Sequence, residues 1–120
     1  MSSQNLIEFR FFREISIVNV VRETGYSVQK SLQLKVDELP NLKSAQAIQY
    51  LNEYASFRSN LFPSGNLLFP TEDGTMFLPI KFKQNLRKLL KLAEQPITPS
   101  HPIKISEQQF QAIFSLKFDY

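Results

Sequence analysis

The sequence predicts an α+β fold, in which an antiparallel sheet, made of N-terminal strands and a short hairpin, is packed by about three helices. Three observations predict this class. The N-terminal third alternates apolar and polar residues, two later segments have helical periodicity, and strands and helices are segregated along the chain. With 120 residues, 42% of them hydrophobic and 21% charged, we expect one α+β domain that spans residues 1–120.

The predicted strands lie at residues 5–21 and 28–36. In the first segment Phe9 and Phe11 alternate with charged residues, and several β-branched residues follow. A polar break at 23–26 separates this segment from the second, in which apolar and polar residues also alternate. Together they are predicted to form a hairpin with one solvated face.

Helices and a second, shorter hairpin are predicted for the rest of the chain. Apolar stripes predict helices over about 42–58 and over 81–94. Between these helices, two short apolar segments flank a turn that contains Asp73-Gly74, a pair that favours a positive φ in hairpins. A Ser-x-x-Gln capping box at Ser106 predicts the start of the last helix.

Composition excludes several classes of function. The absence of cysteine excludes disulfides, thiolate nucleophiles and cysteine-based zinc sites, and it fits a reducing compartment. No apolar run approaches the roughly 18 residues of a membrane span, and the N-terminus lacks an export signal, so we predict a cytoplasmic location. The three glycines cannot form a Walker loop or a dinucleotide-binding motif. We therefore expect no cofactor.

The strongest functional candidate is the helix predicted over 81–94. The net charge is only +3, but five cations and no acid lie within residues 81–92, opposite the apolar stripe. Such a face can neutralise several phosphates, although it is also typical of a solvated helix surface, and a membrane-surface helix is a weaker alternative. The predicted nucleic-acid contacts here are Lys81, Lys83, Arg87, Lys88 and Lys91.

A second candidate lies in the first predicted strand, where Arg10 and Arg13 bracket Phe11 and Phe12. Interleaved cations and rings are typical of proteins that bind single strands by phosphate contact and base stacking. Strand alternation would place Phe12 and Arg10 on the outer face. The competing interpretation is an ordinary strand with one exposed ring.

Catalytic chemistry is not predicted. His101 is the only histidine and lies in a proline-rich linker, without partners for a metal site. Glu72 and Asp73 precede a glycine, so a turn explains them without acid-base catalysis. The protein is therefore predicted not to be an enzyme.

Two functions remain about equally supported. The first is a non-enzymatic nucleic-acid-binding module or ribonucleoprotein subunit that uses the basic helix to bind DNA or RNA. The second is a protein-interaction or assembly subunit that uses exposed aromatic residues and the Leu-Phe-Pro triplets at 61–63 and 68–70. No membrane partner is predicted.

Overall fold

The computed structural model describes residues 3–92, which form four helices: α1 (Ser3–Thr24), α2 (Val28–Leu32), α3 (Ala45–Leu61) and α4 (Pro79–Leu92). These residues contain no sheet, and their only strand-like pairings are two isolated antiparallel bridges. The predicted α+β fold with an antiparallel sheet is therefore wrong, because the described part of the chain is helical.

Helix α1 occupies the segment predicted to be the first strand. Every residue from 13 to 20 is buried, so the helix presents no continuous polar face and its sequence lacks a 3.6-residue period. The β-branched residues of this segment favour strands only weakly, and their burial among other helices outweighs that preference. Phe9 is buried and Phe11 is only partly buried, so the two rings are not equivalent as strand alternation would require.

The predicted break at 23–26 exists, but it ends a helix and does not turn a hairpin. Gly25 has a φ of +78°, and its amide donates to the carbonyl of Val21 at 3.0 Å. This left-handed residue terminates α1, as glycine commonly does after a helix. The segment 28–36 then forms the short α2 and a stretch with turns, in which a single bridge joins Lys35 to Leu67.

Helix α3 confirms the helix predicted over 42–58, with slightly later bounds. Its N-cap is Ser44, whose side chain accepts a hydrogen bond from the amide of Ala47 at 3.1 Å. The carboxylate of Glu23, at the end of α1, accepts hydrogen bonds from both the amide (2.9 Å) and the hydroxyl (2.7 Å) of Ser44. This contact fixes the start of α3 against the end of α1.

Two side chains of α3 hold the segment between α3 and α4. The hydroxyl of Tyr54 donates to the carbonyl of Leu68 at 2.7 Å, and Arg58 Nε donates to the carbonyl of Leu67 at 2.8 Å. Arg58 also donates to the carbonyl of Gly65 at 3.1 Å. A side chain at Gly65 would press on this guanidinium, so the close approach favours glycine there.

The second predicted hairpin is reduced to its turn. The amide of Thr71 donates to the carbonyl of Thr75 at 2.9 Å, and Gly74 has the predicted positive φ, +82°. One bridge, Pro70 with Met76, replaces the predicted strands. The turn was therefore predictable from Asp73-Gly74, whereas the strands on either side were not.

The hydrophobic core surrounds α1, which packs against all three other described helices. On the side of α3, the ring of Phe12 lies 4.8 Å from Tyr50 and 5.5 Å from Tyr54, centroid to centroid. No helix within residues 3–92 is long and apolar enough to cross a membrane. The predicted last helix, with its cap at Ser106, and the linker around His101 lie outside the described residues.

Candidate nucleic-acid interface

Helix α4 begins where a proline follows an exposed leucine. Pro79 is its first residue, a position where the missing amide hydrogen costs nothing. The amides of Lys81 and Phe82 both donate to the carbonyl of Leu78 at 3.1 Å, which closes the first turn. The local sequence therefore fixes where the basic helix begins.

The inner side of α4 is held by apolar and polar contacts. Phe82 and Leu86 are buried, and the ring of Phe82 packs edge-on against Phe77 with centroids 6.3 Å apart. Between them, the side chain of Asn85 is hydrogen-bonded to the carboxyl of Glu14 on α1. These contacts determine which side of α4 faces solvent.

The outer side of α4 carries the cations that the sequence predicted. Four of them are exposed, and Lys83 is half-buried. Residues 79–92 contain no acid, and exposed Ile80 and Gln84 lie among the cations. We call this surface the basic face; its cations are Lys81, Lys83, Arg87, Lys88 and Lys91.

The structure places Arg13 in the core and not on the surface. Its side chain is fully buried, and its guanidinium donates to Glu14 at 2.9 Å, to the carbonyl of Pro70 at 2.9 Å and to Glu72 at 3.4 Å. Its guanidinium carbon also lies 4.0 Å from the ring centroid of Phe77, within the range of a cation–π contact. Arg13 therefore organises the fold and cannot reach a phosphate.

Arg10 is exposed, but it is not an unpaired cation. Its Nε lies 2.6 Å from Oε1 of Glu72, the same carboxylate that Arg13 contacts. Phe12, predicted to share the outer face with Arg10, is instead partly buried against aromatic rings of α3, including Phe57. The predicted single-strand surface around Arg10 and Phe12 is therefore not formed.

Two carboxyl groups in this network have shifted pKa values of opposite sign. Burial raises the pKa of Glu14 to about 7, although the neighbouring Arg13 acts to lower it. Partial burial acts to raise the pKa of Glu72, but its backbone hydrogen bond and the charges of Arg13 and Arg10 hold that pKa below its ordinary value. At neutral pH Glu72 is thus a stable anion, whereas Glu14 is close to its titration midpoint.

Sequence reasoning missed the structural roles of Glu14, Glu72 and Arg58. The turn alone does not account for Glu72, because its carboxylate joins the turn to two arginines of α1. The available signal was the adjacent pair Arg13-Glu14, embedded between two apolar runs. Charged residues in such a setting are commonly paired with each other inside the core.

No group of three or more metal-ligating side chains occurs among the described residues. Comparisons with protein-family models, with curated proteins and with solved structures found no match to this chain. Among the described residues, the basic face is the feature that points to a function.

Proposed function

We propose that the protein is a non-enzymatic nucleic-acid-binding module that contacts phosphates through the basic face of α4. The observation that carries the proposal is the exposure of Lys81, Arg87, Lys88 and Lys91 on a helix without acids. Clustered cations release condensed counterions from nucleic acid, which makes such a surface a phosphate-binding site.

The surroundings of α4 support this proposal. An ordinary solvated helix usually mixes both signs of charge, and its cations are often paired with nearby acids. Here the carboxyls of Glu14 and Glu72, on elements that flank α4, are engaged by Arg13 and Arg10 of α1. Both carboxyls are thus held by arginines of α1, and the exposed cations Lys81, Arg87, Lys88 and Lys91 lie on a helix that carries no acid.

Protein interaction is the second candidate, and a small aliphatic surface favours it. Met76, Leu78 and Ile80 are 45%, 58% and 65% exposed. In contrast, Leu68 and Phe69 of the second Leu-Phe-Pro triplet are buried. The support for an interaction surface therefore comes from the aliphatic residues around the start of α4, with Met76 and Leu78 before the helix and Ile80 in its first turn, and not from that triplet.

The test compares two variants that each lose three positive charges. Arg87, Lys88 and Lys91 are replaced by glutamine in the first variant, and the exposed Lys30, Lys35 and Lys43 are replaced by glutamine in the control. Glutamine has a helix propensity similar to that of lysine and arginine, so folding is expected to survive in both. Affinity for a labelled duplex and for a single strand is measured by fluorescence anisotropy from about 50 to 200 mM salt.

If four phosphate contacts form, the affinity of the parent should fall roughly a hundredfold over this salt range. The α4 variant should bind weakly and lose most of its salt dependence, whereas the control variant should resemble the parent. Equal losses in both variants would indicate a general charge effect and contradict a site on α4. Absence of binding at low salt, together with a mass that rises with protein concentration, would favour the interaction function.

A further inference from the structure

The centre of the basic face contains uncharged side chains. Projected at about 100° per residue, Ile80 and Gln84 lie about 20° to either side of Lys91. Ile80 is 65% exposed, which is more than Met76 (45%) or Leu78 (58%). Phosphate binding does not require an aliphatic side chain in contact with water, and burying such a side chain is favourable. This position suits a ligand that presents apolar as well as anionic groups.

The remaining cations flank this centre on both sides. In the same projection, Arg87 and Lys83 lie further out on one side, and Lys88 and Lys81 lie further out on the other. The helix is about 10–12 Å wide, which matches the roughly 12 Å major groove of B-form DNA. A helix in that groove has a phosphate backbone on each side and base edges in front of its central residues.

The chemistry of the central residues fits the edges of base pairs. Glutamine makes a paired hydrogen bond with adenine, and an apolar side chain contacts the methyl group of thymine. From Ile80 to Lys91 the helix advances about 16 Å, which corresponds to roughly five base pairs along the duplex axis. Arg87, beside the centre, is long enough to reach a guanine edge or a phosphate.

We infer that α4 enters the major groove of duplex DNA, an inference that rests on the proposed nucleic-acid binding. Ile80 and Gln84 would then lie against base edges, and the flanking cations would contact the phosphate backbones on both sides. The major groove of duplex RNA is too deep and narrow for this arrangement. Binding of single strands commonly relies on exposed rings for base stacking, yet within residues 3–92 the rings next to this surface, Phe77 and Phe82, are buried. Duplex DNA is therefore the ligand that fits both the cations and the central residues.

The experiment selects preferred sites from a random DNA duplex pool with the full chain, and then compares parent and variants on the selected site and on a scrambled duplex. We expect a preferred core of about five base pairs and protection of guanine N7, a major-groove atom, from methylation. The double variant Ile80→Ala with Gln84→Ala should reduce the ratio of selected to scrambled affinity by about tenfold, with the salt dependence unchanged. The control variant, Met76→Ala with Gln49→Ala, should retain the ratio.

Three outcomes would overturn this inference and leave the phosphate-binding function standing. They are the absence of any preferred sequence, an unchanged affinity ratio in the double variant, and duplex RNA or single strands bound as tightly as duplex DNA. If these three results are obtained and the variant with glutamine at positions 87, 88 and 91 binds no nucleic acid, the protein contacts only phosphates. If the parent binds no nucleic acid at low salt, both the function and the inference are wrong.

Discussion

The buried carboxyl of Glu14 titrates at a different pH in the folded protein than in the unfolded chain. Its pKa in the folded protein, about 7, lies above the ordinary value of 4.5, because burial disfavours the anion. Between these values the folded protein binds the proton more tightly than the unfolded chain does. The stability from Glu14 is complete below pH 4.5 and is lost as pH rises through 7.

We therefore expect Glu14→Gln to flatten part of the dependence of stability on pH. Relative to the variant, the parent should lose on the order of 2 kcal/mol of unfolding free energy between about pH 5 and 8. Urea unfolding across this range measures the difference. Glu72→Gln is the control, since the lowered pKa of Glu72 gives stability that is lost only as pH falls. Parallel curves for parent and Glu14→Gln would show that Glu14 does not titrate in this range.

Single residues with strict backbone requirements were predictable, whereas buried charges were not. Gly74 adopts the positive φ that Asp73-Gly74 predicted, because few other residues tolerate that conformation. Arg13 and Glu14 carry no such local constraint. Arg13 contacts Pro70 and Glu72, and Glu14 is hydrogen-bonded to Asn85, all of which lie more than fifty residues away in the sequence. A local sequence pattern does not indicate which distant residues will become contact partners.

Among the helices, α3 depends on its cap for a defined start. Ser44→Ala should cost about 1 kcal/mol of unfolding free energy, because the amide of Ala47 and the carboxylate of Glu23 both lose a hydrogen-bond partner. Denaturant midpoints measure this cost, with Ser56→Ala, at an exposed position within α3, as the control. If both variants shift the midpoint equally, Ser44 does not act as a cap.

Some of the helices can be predicted from sequence periodicity and others cannot, and the difference follows from how much of each helix is buried. Helices α3 and α4 each bury one side and expose the other, so apolar residues recur with a helical period and both helices were predicted. Helix α1 is enclosed through residues 13–20, so both its polar and apolar residues face the interior. The same difference explains the site: the basic face of α4 was predictable, and the supporting network on α1 was not.

At the scale of the whole described fold, the central position of α1 determines which amides are exposed to solvent last as the protein unfolds. It packs against α2, α3 and α4, whereas α4, with its basic face outward, lies at the surface. Amides within residues 13–20 can therefore exchange with solvent only when the surrounding helices separate, which amounts to global unfolding. Amides in the exposed segment 37–39 require no such separation.

We expect native-state hydrogen exchange to show this order. Amides of residues 13–20 should exchange with the free energy of global unfolding measured by urea, and that value should decrease with denaturant at the global slope. Amides in the middle of α4, such as Leu86, should exchange at or below that free energy, and those of 37–39 should exchange fastest. Val18→Pro provides a second measurement: it removes a hydrogen bond from the enclosed helix, so it should abolish cooperative unfolding. Rapid exchange at residues 13–20, or a stable Val18→Pro variant, would contradict a fold organised around α1.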